Sequence, residues 1–336
     1  MYLQGLLLGV GQLSPAIRKP SFVLVCLLLA APAWAEWLSD EQEKMGTRVE
    51  VQLWAADRSE GLRLLERSMA EFDRIENLMS TYIPESEISR VNRLAYQEPQ
   101  AISAELYSLI EIALRVSEMT DGAFDITYDS VGVLYDFRKR RKPSSMEIQD
   151  QLQSIGYRLV VLDEISRTVK FTDPGVRINL GGIAKGYAVE QVIKLLAKSG
   201  IEHALATAGG DTRLLGDRIG KPWIVGIRDP NKSNAVFTRL ALQDEAISTS
   251  GDYERYFIED GKRYHHILRP ADGLPVEGVR SVTVIGTDGT YTDALSTSLF
   301  VMGPEKGLTL IESLPDYEAV IITDEQLFYS AGLNPG

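Results

Sequence analysis

The stretch Arg177–Leu196, "RINLGGIAKGYAVEQVIKLL", runs a short apolar strand into two glycines and then into a long amphipathic helix. A glycine-rich entry of this kind leaves backbone N–H groups exposed at the positive end of the helix dipole, where anions bind. Lys185 stands three residues after Gly182, close enough to add a full charge. The spacing is neither G-x-x-x-x-G-K-[ST] nor G-x-G-x-x-G, which excludes a Walker loop and a dinucleotide fingerprint. On its own the turn is consistent with an anion site and equally with an ordinary helix start.

Outward from this stretch the chain alternates between helical and strand periods. Met45–Ala55 alternates as a first strand, and Glu60–Met79 carries Leu62, Leu65, Met69, Phe72, Ile75 and Met79 at helical spacing. Helices are expected at 103–120, 146–155 and 184–198, the last stopped by Ser199–Gly200. Beyond it come short strands near 203–208, 212–215, 223–227, 236–242 and 246–249. A hairpin turns at Asp260–Gly261, a strand follows at 279–286, and two helices at 292–302 and 304–313 precede a last strand pair. Long helices beside clustered strands make the fold α+β: a single compact unit, one-lobed or two-lobed, of mixed or antiparallel sheets with flanking helices.

The 336 residues, 44% hydrophobic and 24% charged, suffice for one large or two modest domains. The first 35 residues read as a separate export signal: Arg18 and Lys19, an apolar run from Phe22, then "AWA" at 33–35. Cleavage there leaves one domain over 36–336 and implies a periplasmic location. The sole cysteine, Cys26, lies in the apolar run without a lipobox before it, so a processed chain has no thiolate to offer a metal and must use oxygen or imidazole. Removing two basic residues and no acidic one takes the net charge from −12 to −14. So acidic a surface excludes nucleic acid and direct binding to an anionic membrane. An anionic ligand then needs local cations, and Lys185 and a bound metal are the candidates. The one basic run, "FRKRRKPSS" at 137–145, reads as an exposed loop.

"TDALSTSLF" at 292–300 places Asp293 and Thr297 four residues apart, on one face of a helix. A carboxylate and a hydroxyl are hard ligands for Mg²⁺, although Thr292 or Asp293 capping the helix explains the same residues. Imidazole chemistry must come from His203, His265 or His266. His203 heads an apolar strand, and alternation sends His265 and His266 to opposite faces.

In order along the chain, "MGT" at 45, "MSTYIPESEISRVN" at 79, "GAFD" at 122, "GGIAKGYAV" at 181, "AGGD" at 208, "STSGDYERYF" at 248, "RYHHI" at 263 and "TDALSTSLFVMGPEKGL" at 292 resemble the FAD:protein FMN transferase (ApbE) family. The resemblance spans most of residues 45–307. It implies a T-fold-like α+β unit that moves FMN from FAD to a threonine of a target flavoprotein and releases AMP. Met45, Tyr82, Ala123, Phe124, Asp125, Asn179, Lys185 and Ile267 match FAD-contacting positions. Asp293, Thr297 and the carbonyl of Gly182 match Mg²⁺ ligands, and His266 matches the general base. The implied partner is a threonine-bearing subunit of a membrane redox complex, with any membrane contact made through that partner.

Three departures stand out. Asn179 occupies a position where the family usually has Asp, Arg269 stands where Asp usually precedes the proline, and "DITYDSVGVLYDF" replaces the common "DPTVGPLV…WGF". Two other activities fit the same residues: a metal-dependent FAD diphosphatase yielding FMN and AMP, and a non-catalytic flavin carrier.

Overall fold

The computed structural model describes residues 35–333 apart from 231, 233 and 234. All of the expected export segment except Ala35 therefore lies outside the described residues. The chain begins with a hairpin of β1 (Glu36–Lys44) and β2 (Thr47–Ala55), turning at Met45 and Gly46, both of which have positive φ (53° and 68°). A strand thus precedes Met45–Ala55, the segment that alternation marks as the first. β1 escapes that reading because it is acidic and buries only Leu38; at a sheet edge, charge guards the unpaired backbone.

Next come α1 (Arg58–Met79), α2 (Glu87–Leu94), β3 (Gln100–Ala101), α3 (Ala104–Met119), α4 (Asp129–Gly132), α5 (Ser145–Leu152), β4 (Val160–Asp163) and β5 (Thr168–Phe171). The helix of the Gly–Gly stretch is α6 (Ala184–Lys198). It is followed by β6 (Ala204–Ala208), β7 (Asp211–Leu215), β8 (Trp223–Arg228), β9 (Val236–Leu242) and β10 (Ala246–Gly251). A ribbon of β11 (Tyr256–Glu259) and β12 (Lys262–His265) leads to β13 (Val279–Gly286), α7 (Gly289–Glu312), β14 (Tyr317–Thr323) and β15 (Leu327–Tyr329). Gly303, at φ 76° and ψ 176°, breaks α7 just before Pro304, giving the two helices expected there.

Eight strands form one sheet in the order β1-β2-β6-β7-β10-β13-β14-β15, and its pairings are all antiparallel. The inward residues of β2 (Val49, Val51, Leu53) lie under α1 and α6, against Phe72, Ile75, Ala188 and Val192. Each of the larger side chains here contributes about 1.5–3 kcal/mol by leaving water. Leu62, placed on the α1 stripe by spacing, is 48% exposed, and Leu64 is buried instead. A second cluster joins α7 to β13 and β14 through Leu295, Leu299, Phe300, Val282, Val284 and Ile321. The β8–β9 ribbon supplies Trp223, Ile227 and Leu242 to a third cluster with Leu214, Ile247 and Ile285.

The helix layer is tightest where α6 meets α7. A Cβ on Gly186 would stand 2.1 Å from the Gly289 carbonyl oxygen and 2.5 Å from Asp293 Cβ, so only glycine permits this approach. The Glu190 carboxylate secures it by accepting from Gly289 N–H at 2.9 Å and from Arg213 Nε at 2.9 Å.

Candidate active site

Arg177–Leu180, read from sequence as a strand, is extended but belongs to no sheet. Side chains replace the missing ladder. Arg177 N–H donates to Ser130 Oγ (2.9 Å), and Ile178 exchanges bonds with the Asn92 amide through its N–H (2.8 Å) and carbonyl (2.9 Å). Asn179 N–H donates to the Ile126 carbonyl at 2.9 Å, and its Oδ1 accepts from Gly181 N–H at 2.9 Å. The Gly–Gly turn is therefore fixed from behind before α6 begins. No side chain of its own caps α6, whose N-cap position is Ile183.

The cap comes from α7. Asp293 Oδ2 accepts the buried N–H of Gly186 at 2.9 Å, while α7 itself starts on Asp288, which accepts from Thr290 and Tyr291. Asp293 thus caps the neighbouring helix rather than its own, at the end where the dipole favours negative charge. Lys185 Nζ bonds Asp211 and lies 3.6 Å from Asp293 Oδ2. Burial alone would lower the lysine's pKa, but the two carboxylates outweigh it and hold the ammonium charged. Burial raises the pKa of the Asp293 carboxyl, and the neighbouring Asp211 charge raises it further, against the pull of Lys185 and the Gly186 N–H. Two buried carboxylates share one ammonium, so the cluster is short of positive charge.

Thr297 sits one turn beyond Asp293 and 3.2 Å from Ser250 Oγ, which also meets Ser296 Oγ at 2.8 Å. Gly182 backs onto it: a Cβ there would be 3.3 Å from both Thr297 Oγ1 and Phe124 Cε2. Asp293, Thr297, Gly182, Lys185 and Phe124 therefore surround one place. Among the described residues no group of three or more His, Cys, Asp or Glu side chains could hold a metal. A divalent cation here would depend on mixed hard oxygens, namely the Asp293 carboxylate, the Thr297 hydroxyl and the Gly182 carbonyl, and the charge deficit of the cluster fits it.

The two histidines separate as alternation requires. His265 turns into the core, its Nε2 2.7 Å from the Val276 carbonyl and its ring edge-on to Phe300 at 5.7 Å. Ile267 N–H donates to its Nδ1, which fixes the tautomer with the proton on Nε2. His266 faces the other way, with a buried Nδ1 that has no partner among the described residues. Its pKa is lowered to about 3, first by burial and then by the positive charge of Arg255, with His265 and Lys185 adding to it. At neutral pH it is an unprotonated imidazole with a free nitrogen. His203 Nδ1 lies 2.9 Å from the Asp217 carbonyl, away from this cluster.

The remaining sequence candidates sit on separate turns and loops. Met45 occupies the β1–β2 turn, its N–H bonded to Glu76 at 2.8 Å. Tyr82, between α1 and α2, is 83% exposed. Ala123 and the buried Phe124 end the turn after α3, with Phe124 N–H held by Thr120 Oγ1 at 3.1 Å. Both carboxylate oxygens of Asp125 are taken, one by Thr127 and one by Tyr157 N–H at 2.7 Å, which stiffens that loop. Ile267 is buried against the α7 cluster.

Two of the sequence departures meet in space. Asp129, the fifth residue of "DITYD" and a glycine in the common form, is buried and accepts from Arg177 Nε at 2.6 Å and Asn179 Nδ2 at 3.1 Å. A carboxylate at 179 would face this one, so the amide at 179 and the acid at 129 belong together. Arg269 bonds Asp272 within its own turn (2.9 Å). Sequence reasoning singled out neither Asp211 nor Arg255, although both lie inside quoted motifs, "AGGD" and "STSGDYERYF".

A model of the ApbE family matches residues 45–321. An FAD:protein FMN transferase of Klebsiella pneumoniae is 32% identical over 283 residues, covering 83% of this chain and 87% of its own. One from Vibrio cholerae is 34% identical over 248 residues, covering 72% and 74%. Among solved structures, the ApbE protein of Thermotoga maritima superposes with a TM-score of 0.82 at 34% identity, over 88% of this chain and 98% of that one. The flavin transferase ApbE of Vibrio cholerae gives 0.80 at 30% identity, over 90% and 99%.

Proposed function

The chain belongs to the ApbE family and is an FAD:protein FMN transferase, and on that premise we propose how its residues divide the work. FAD lies with its diphosphate at the start of α6, where Lys185 and the helix dipole meet the negative charge. Tyr82 and Phe124 offer aromatic surface to its rings, and Met45, Ala123, Asp125, Asn179 and Ile267 shape the rest of the cavity. An acceptor threonine enters beside His266, whose neutral imidazole takes the hydroxyl proton as the oxygen forms a bond to the riboflavin-side phosphorus. The bond from that phosphorus to the bridging oxygen breaks, and AMP departs with the electron pair. General-base assistance of this kind is worth roughly 10²–10⁴-fold. Asp293, Thr297 and the Gly182 carbonyl would hold Mg²⁺, which when bound supplies Lewis-acid neutralisation of the diphosphate.

What supports this reading above all is the Lys185–Asp293 separation of 3.6 Å in a buried cluster that is short of positive charge. The partner is a threonine-bearing flavoprotein subunit of a membrane redox complex. The sequence pattern of residues 1–35 supports export to the periplasm, and N-terminal sequencing of the chain recovered from that compartment tests it. The activity itself is tested by incubating a candidate acceptor with FAD and Mg²⁺ and weighing it by mass spectrometry. A threonine carrying the FMN mass, absent with Asp293→Ala, supports the proposal. Free FMN with an unmodified acceptor makes the protein a diphosphatase, and intact FAD makes it a carrier.

A further inference from the structure

Arg255 stands at the head of β11, and its carbonyl accepts from His266 N–H at 3.2 Å. The ladder pairs Tyr256 with His265, so Arg255 lies opposite His266 one step further along. Residues facing each other across an antiparallel pair project from the same side of the ribbon. Phe257 and Tyr264, two places along that side, stack at 5.3 Å, and Tyr264 borders the cluster of Val131, Tyr135 and Leu268. The arginine and the histidine therefore look out together from the base of an anchored ribbon.

The guanidinium reaches across to the β1–β2 turn, where a Cβ on Gly46 would be 3.2 Å from its terminal nitrogen. Its charge acts on His266 beside it on the ribbon and on Lys185 and Tyr128 from two other segments. Neighbouring arginines are paired: Arg263 and Arg280 with Asp252, Arg177 with Asp129, Arg213 with Glu190. Arg255 is exposed and, among the described residues, makes no side-chain hydrogen bond or ion pair. In a chain of net charge −12, an arginine left without a carboxylate beside a base is a group placed for an incoming anion.

We infer that Arg255 binds the phosphate oxygens of the dinucleotide from the ribbon side, facing Lys185 across the diphosphate. This rests on the reading of the cavity as a diphosphate site. The planar fork can hold two oxygens of the phosphoryl group under attack, so the base and the second cation reach the same phosphorus from one strand pair. Charge that builds on those oxygens as the threonine adds is then met by donors already in place.

The test is equilibrium binding of FAD and of riboflavin, which lacks phosphate, to the full chain without metal, followed by flavin fluorescence. Arg255→Gln is expected to weaken FAD by about 10- to 100-fold, the loss of a charge-assisted bond pair, and to leave riboflavin unchanged. Arg255→Lys should recover part of the loss. Equal weakening of both flavins would mean a merely structural role, and unchanged FAD affinity would mean no role; either overturns the inference. A parent protein that binds riboflavin as tightly as FAD would instead overturn the diphosphate reading beneath it.

Discussion

Replacing Asn179 by Asp, which restores the family's usual residue, is expected to damage this protein. The amide nitrogen of Asn179 lies 3.1 Å from Asp129 Oδ1, and burial already raises the pKa of that carboxyl despite Arg177 and Asn179. Two carboxylates at that distance repel by about 5 kcal/mol at an effective dielectric of about 20. Proton uptake sets a ceiling: holding one carboxyl neutral at pH 7 costs about 4 kcal/mol from an ordinary value near 4. Arg177, shared between the two, lowers the figure to roughly 2–4 kcal/mol. The sign with pH follows from linkage. The carboxyl that keeps its proton has a folded pKa above its unfolded one, so stability falls as pH rises through that window and returns on acidification. Urea denaturation of parent and Asn179→Asp should therefore differ by about 2–4 kcal/mol at pH 7.5 and by less than about 1 kcal/mol at pH 5. Adding Asp129→Asn puts a single carboxylate back before Arg177 and should restore most of the loss. A single variant as stable as the parent at pH 7.5, or a deficit indifferent to pH, would refute the account of this pair.

Other outcomes follow from the same geometry. Gly186→Ala forces a methyl to 2.1 Å from a backbone oxygen, so it should lose about 1–3 kcal/mol or more; a parent-like melting temperature would mean that α6 and α7 can part freely. Asp293→Asn should slow flavin transfer by roughly 10²–10⁴-fold at saturating Mg²⁺, read as covalent acceptor fluorescence, and a rate within a few fold of parental would remove Asp293 from the metal site. His266 has a folded pKa of about 3, so its unfolded form takes up a proton first as pH falls, and stability drops between about 6.5 and 3. Denaturation at pH 7 and 4.5 should show a smaller acid loss for His266→Gln, and equal losses would place the imidazole in water.

Much of the architecture can be read from local chemistry. α6 and β13 have the bounds expected of them, because Ser199–Gly200 stops the helix and the β-branched run Val282–Ile285 marks a strand buried on both faces. β1 is not readable this way, since an acidic edge strand has no core-facing alternation. Arg177–Leu180 misleads in the opposite direction: it has a strand's composition, but its partners are the side chains of Asn92 and Ser130, far away in sequence. The site is legible where one element carries the pattern, as with Asp293 and Thr297 on one helix face. That Asp293 caps α6, that Asp211 holds Lys185, and that Asp129 answers Asn179 are contacts between segments 26 to 107 residues apart. No local spacing encodes them.

Among the described residues the ribbon of β11 and β12 pairs only with itself, while Lys185, Asp293 and Thr297 stand on helices backed by the eight-stranded sheet. The Lys185 grip and the attack thus have separate foundations: one is set into masonry, the other, together with Arg255, hangs from a bracket bolted at Asp252, where Arg263 and Arg280 converge. Undoing that bolt should leave a protein that still holds its nucleotide through Lys185, more weakly for want of Arg255, yet no longer passes the flavin on.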